Sequence, residues 1–185
     1  MLNNFKKLLL FILIFIFING CTQQQEQKNQ EQIETGVVNM ELTSSAFTHN
    51  SAIPSEYTCD GNDLSPELMI SDVPSNAKSL VLISDDPDAP VGTWDHWVVF
   101  NIPPLTASIP KGTEPKGTAG KNSWGRTGYG GPCPPSGTHR YFFKLYALDT
   151  TLNLPQGAAK KDLEKAMQGH IVAQAQLMGN YKRSR

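Results

Sequence analysis

From Gly131 to Asp149 the chain reads GPCPPSGTHRYFFKLYALD. Pro132, Pro134 and Pro135 fix the backbone and remove amide donors, so no helix or central strand runs through them. From His139 the pattern changes to strict alternation. His139, Tyr141, Phe143, Leu145 and Ala147 share one face, and Arg140, Phe142, Lys144, Tyr146 and Leu148 share the other. A stiff approach therefore delivers a His and a Tyr, two residues apart, to the same side of a strand.

The rest of the chain supplies partners for that strand. SLVLISDD, Ser79–Asp86, is a continuous apolar run ending in acids, the pattern of a strand buried on both faces. HWVVFNIP, His96–Pro103, is another, stopped by Pro103 and Pro104. Residues 104–135 have little periodicity and many glycines, and a loop of that length in a compact domain is usually functional. In GAAKKDLEKAMQGH, Ala159, Leu163, Ala166 and Met167 fall at helical spacing, with Gly169 placed to end the helix. A last alternating run puts Ile171, Ala173, Ala175 and Leu177 on one face. The fold class predicted is mostly β with long loops, one helix late in the chain and a final strand after it.

The N-terminus reads differently. Lys6 and Lys7 precede LLLFILIFIFI, Leu8–Ile18, which is shorter than the roughly 20 apolar residues of a membrane span. It fits the core of a secretory signal. The following INGC resembles a bacterial lipobox, with cleavage and acylation (palmitate among the acyl chains) at Cys21. An uncleaved anchor is the alternative, and both tether the chain to a membrane. More than one acyl chain on Cys21 gives stable anchoring. TQQQEQKNQEQIETG has almost no apolar surface to bury and predicts a disordered tether. The domain organisation expected is a signal peptide over 1–20, a tether over 21–39 and one domain over 40–185. The chain is thus expected to be exported and lipid-anchored to the cell membrane or envelope.

With 16 basic and 17 acidic residues and no basic block, nucleic acid is not an expected partner. If Cys21 is acylated, Cys59 and Cys133 remain, and an exported domain permits a disulfide between them. Two buried free thiols are the alternative.

Polar residues cluster where apolar runs end. DDPDAP, Asp85–Pro90, turns the chain at the end of one strand, and His96 opens the next. His139 and Tyr141 open a third. If these strands are neighbours, Asp86, His96, His139 and Tyr141 line one small polar pocket. Imidazole and phenol donors suit an oxyanion, and the prolines of GPCPPSG pre-form one wall. A cis bond is expected at Ala89–Pro90 from the double bend of DPDAP. Asp88 and Arg140 are expected to pair as scaffold. His49 and His170 have no supporting motif and read as structural. Trp94, Trp97 and Trp124 read as core or pocket wall.

DPDAP, HWVV and GPCPPSGTHRYFFKLYALD, in that order, resemble the two signature regions of the phosphatidylethanolamine-binding protein family, which includes Raf kinase inhibitor protein. YTCDGNDLSPEL and GHIVAQAQLMGNYKR resemble its bacterial and archaeal branch. The resemblance implies two antiparallel sheets and a small cavity that takes phosphate, phosphate-bearing head groups, acetate or cacodylate. The matching ligand-binding positions are Asp86, His96, Pro134, Pro135, His139 and Tyr141. Eukaryotic members carry a further C-terminal helix with no counterpart after the last strand here, so kinase regulation is not carried over.

The function expected is therefore a membrane-tethered binding protein for a small anion, without a cofactor or metal, and not an enzyme. Two alternatives stand beside it. One is a protease inhibitor or other interaction module, working through the long loop on an unidentified protein. The other is a metal-dependent hydrolase built on His and Asp, against which stand the lack of a nucleophile in a recognised setting and of any close-spaced His pair.

Overall fold

The structure, a computed structural model, describes residues 40–183. The expected signal peptide, the tether and Cys21 lie outside the described residues. Among the described residues nine strands run in the order β1 (Glu41–Thr43), β2 (Ser51–Ala52), β3 (Leu68–Ser71), β4 (Ser79–Asp86), β5 (Trp94–Ile102), β6 (Ser108–Ile109), β7 (Thr118–Ala119), β8 (His139–Leu148) and β9 (Ile171–Tyr181). The helix α1, Lys160–Met167, sits between β8 and β9.

The strands form two sheets. One has three strands in the order β1-β3-β6, the other six in the order β2-β9-β8-β4-β5-β7. The two expected antiparallel sheets are present, with one short edge ladder of the opposite sense. Every ladder is antiparallel except β2–β9, which is parallel, so the large sheet is mixed.

β4 lies inside the large sheet, and both its faces are covered. On one face Leu80 and Leu82 join Trp97, Val99, Tyr141 and Phe143 against Leu42, Leu68, Ile70 and Ile109 of the small sheet. On the other, Val81, Ile83, Val98 and Phe100 pack against Leu163 and Met167 of α1. That is why SLVLISDD shows no alternation: a strand between two layers has no solvent face. Burying each large apolar side chain contributes about 1.5–3 kcal/mol.

α1 ends as its sequence requires. Gly169 adopts φ +79°, a conformation that costs other residues a Cβ clash. β9 departs from simple alternation at its start. A register shift between Ala147 and Leu148 pairs Leu148 with Ile171, and Ile171 is exposed while Ala173 and Ala175 pack on the core. The irregularity turns Ile171 off the face that its spacing predicted.

Candidate functional site

The ends of β4, β5 and β8 meet at one edge of the large sheet, and the backbone there is irregular in a way that matters. Ser84 pairs with Trp97 but Asp85 pairs with Asp95, so His96 is the extra residue of a β-bulge. Strict alternation would set His96 on the helix face with Val98 and Phe100. The bulge turns it to the other face, where its ring meets Tyr141 edge-on at 5.3 Å between centroids. Asp95 goes to the helix face instead and pairs with Lys160 at 3.0 Å.

The cavity at this edge measures about 480 Å³ and is lined by Asp86, His96 and Pro135, with Trp94, Trp124 and Arg126 among the other wall residues. Asp86 is buried and its two oxygens are engaged. Oδ1 accepts the Asp88 amide at 2.8 Å, and Oδ2 accepts from His139 Nδ1 at 2.7 Å. His96 Nδ1 lies 2.6 Å from the carbonyl oxygen of Gly130. A carbonyl only accepts, so His96 Nδ1 carries the proton. Among the described residues neither imidazole has a partner on Nε2, and neither of those atoms is sealed from solvent. Burial pushes the His96 pKa below its ordinary value, although Gly130 and the nearby carboxylates pull the other way.

Tyr141 and His139 stand one layer back from the cavity lining. The Tyr141 hydroxyl is buried without a partner in hydrogen-bonding geometry, and burial, reinforced by the charge of Asp86, pushes its pKa up. It therefore stays a neutral donor. The His139 and Tyr141 rings stack at 6.5 Å. Pro134 is buried while Pro135 is exposed at the cavity wall. The six residues thus gather at one place, with Asp86, His96 and Pro135 on the wall and His139, Tyr141 and Pro134 supporting it.

The turn after β4 corrects one expectation. Ala89–Pro90 is trans, as is every other peptide among the described residues. The bend is made otherwise. Asp86 caps the Asp88 amide, and the Gly92 amide reaches the Ala89 carbonyl at 3.1 Å with Gly92 at φ +97°. Asp88 then pins the turn to β8, accepting from the Arg140 amide at 3.0 Å and from its guanidinium at 2.8 and 2.6 Å. The expected scaffold pair is present, and Arg140 holds the Asp88 pKa down to about 2.

The opposite wall comes from two segments distant in sequence. Cys59 and Cys133 form a disulfide with Cα atoms 5.4 Å apart. Beside it Cys59 N–H donates to Pro132 O at 3.1 Å, Gly131 N–H to Asp63 Oδ1 at 2.6 Å, and Tyr129 Oη–H to Tyr57 O at 2.8 Å. Gly131 is required there: a Cβ would lie 2.5 Å from both Asp63 Oδ1 and Tyr57 O.

Arg126 and Asp63, not singled out from the sequence, and Trp124, expected as core or wall, complete the wall. Arg126 and Asp63 line the cavity, and Trp124 lies across Gly130, where a Cβ would sit 2.6 Å from its ring. Buried Asn122 shapes this turn: its Oδ1 accepts the Trp124 and Arg126 amides at 3.1 and 3.3 Å, and its Nδ2 donates to Gly128 O at 3.0 Å. The Arg126 guanidinium stands 5.7 Å from the Trp124 ring and has no carboxylate partner among the described residues. Of the other tryptophans, Trp94 is wall, and Trp97 is core with its Nε1 donating to Glu114. His49 and His170 lie away from the cavity lining and are exposed. Among the described residues no three His, Cys, Asp or Glu side chains converge so as to hold a metal ion.

The family model for phosphatidylethanolamine-binding protein matches residues 43–182. This chain belongs to the phosphatidylethanolamine-binding protein family. It is 54% identical over 150 residues to a UPF0098 protein of Methanothermobacter thermautotrophicus, covering 78% of this chain and 99% of that one. A UPF0098 protein of Aquifex aeolicus is 50% identical over 163 residues, covering 84% and 95%. Both fit the bacterial and archaeal branch. Among solved structures, a phosphatidylethanolamine-binding protein homologue of Chlamydia trachomatis superposes with a TM-score of 0.77 at 45% identity, covering 80% of this chain and 99% of that one. Escherichia coli YbcL, described as a member of the mammalian family, superposes at 0.74 with 29% identity, covering 79% and 99%.

Proposed function

We propose that this member of the family binds a small oxyanion, phosphate or a phosphomonoester, in the cavity beside Asp86 and His96. One observation carries the reading. Asp86, the buried acid of the wall, is engaged on both oxygens by His139 and the Asp88 amide, and the exposed Asp63 is engaged on Oδ1 by the Gly131 amide. Arg126 has no carboxylate partner among the described residues, and the Nε2 atoms of His96 and His139, whose Nδ1 atoms act as donors, are open to an oxyanion that brings a proton. The free hydrogen-bonding capacity of the site is thus suited to an anion.

The cavity is larger than phosphate needs and lies in the usual range of small-molecule sites. Its rim is apolar, with Val91 79% and Trp124 43% exposed. A phosphate ester with an organic substituent fits this division, the phosphate on the floor and the substituent against Pro90, Val91, Trp94 and Trp124.

Calorimetric titration of chelator-treated protein with phosphate and with phosphoethanolamine tests the assignment. Saturable binding is expected without added metal. Absence of binding to both, or binding that starts only after zinc is supplied, overturns it and favours a metal-dependent hydrolase.

We further propose that the chain is exported and anchored through acylated Cys21, on the strength of Lys6–Lys7, the apolar run and INGC. Cys21→Ser should leave unprocessed precursor or release the chain into the soluble fraction. A variant that matures and fractionates like the wild type would refute the anchor.

A further inference from the structure

We propose that the site selects oxyanions that bring their own proton, such as a phosphomonoester monoanion, over oxyanions that have none, such as a sulfate ester, because the Gly130 carbonyl holds His96 with Nε2 as an acceptor. The inference rests on the anion reading above and adds a chemical class to it. Its basis is geometric. Nδ1 of His96 is 2.6 Å from the Gly130 oxygen, and both residues are buried. With Nδ1 as donor, neutral His96 presents only a lone pair at Nε2. A fully ionised oxygen placed there sets lone pair against lone pair. An oxygen bearing a proton donates it to Nε2.

Protonation of His96 would remove the selectivity, so the groups around the ring decide. Asp86 acts on it from β4 and Tyr141 meets it from β8, with His139 stacked behind Tyr141; Asp85 and Asp95 act on it from the helix face of the sheet, and Asp63 and Arg126 share the cavity wall. The acids would favour a charged ring, but each has another cation or donor. Asp86 holds His139, and Asp85 takes both Lys144 and Lys160 at 2.8 Å. Asp95 pairs with Lys160, and Asp63 accepts from Gly131. Burial outweighs what remains and keeps the ring neutral toward lower pH than usual. Arg126 supplies the positive charge, so the two roles are divided: Arg126 answers the charge of the ligand and His96 its proton.

Methyl phosphate and methyl sulfate make a matched pair. The monoanion of the first and the only form of the second carry the same charge and differ by one proton. At about pH 6.5 methyl phosphate, whose second pKa is about 6, still supplies its monoanion. The test is calorimetry of the full-length chain with both esters, in two buffers of different ionisation enthalpy. Methyl phosphate is expected to bind at least about tenfold tighter, the scale of one hydrogen bond to a charged group. Any methyl sulfate binding should draw a proton from the buffer. His96→Gln, whose amide can offer N–H, should bring the two affinities within about twofold by removing the obligate acceptor. Equal wild-type affinities without proton uptake would overturn the selectivity and leave anion binding intact. Failure of both esters to bind would remove the anion reading and this inference with it.

Discussion

His96 Nδ1 donates to the carbonyl oxygen of Gly130 across 2.6 Å. This bond joins the bulge of β5 to the glycine-rich loop. It fixes the tautomer of the ring, leaves Nε2 to the cavity and seats Gly130 beneath Trp124. One backbone contact thus couples the shape of the wall to the chemistry of the floor.

The coupling has a pH signature. Burial lowers the His96 pKa below 6.5 in the folded chain. The unfolded chain therefore binds more protons as pH falls below about 6.5, and stability falls until the folded-state pKa is reached. Stability from this group is fully present above that window. Thermal midpoints measured between pH 7.5 and 5 should decline less steeply in His96→Gln than in the wild type. Parallel declines would show that His96 does not carry the effect.

Asp88 gives a second, separate acid response. Its pKa of about 2 lies below the ordinary 3.8, chiefly through the Arg140 side-chain bond. The associated stability is present above about pH 4 and is lost as pH falls toward about 2. Arg140 is half exposed, so solvent screens the pair and its contribution to stability is small. Its larger effect is positional. Asp88→Asn should weaken phosphate binding more than it lowers the thermal midpoint, because the turn that carries Asp86 loses its anchor on β8. Unchanged affinity in that variant would count against the turn as part of the site.

The disulfide spans 74 positions, and the chain-entropy model assigns such a loop about 4 kcal/mol. Cys59→Ser with Cys133→Ser should lower the urea midpoint. The wall should largely persist, because the Cys59–Pro132, Gly131–Asp63 and Tyr129–Tyr57 hydrogen bonds remain. Phosphate affinity should therefore fall by less than about tenfold, a loss of under 1.4 kcal/mol. Complete loss of binding in a folded double variant would show that the bridge itself shapes the cavity.

What could be read from the sequence follows from the kind of signal each element leaves. β8 was legible because one of its faces is core and alternation survives from His139 to Ala147. β4 was legible as a run without alternation because α1 and the small sheet cover both its faces. His96 was identified through its motif, but not its orientation: alternation groups it with Val98, and only the bulge turns it over. Trp124 was expected as core or wall and is wall, whereas Arg126 was missed because its placement comes from hydrogen bonds to Asn122, which leave no periodicity. The one available sign was Asn122 ahead of the SWGRTG turn, a residue type that caps nearby amides. Asp63 was missed because its partner Gly131 is 68 positions away. The expected cis proline gave way to an aspartate cap and a glycine turn, which bend the chain equally well.

The most direct test of the account is nitrogen-15 and proton NMR of the histidine rings during titration with inorganic phosphate near pH 6. The chain has four histidines, and His49 and His170 are exposed and lie away from the cavity lining, so they serve as internal controls. The account predicts saturable shifts at Nε2 of His96 and His139, with His49 and His170 unchanged. Silent His96 and His139 signals at saturating phosphate, or equal shifts at all four rings, would contradict it.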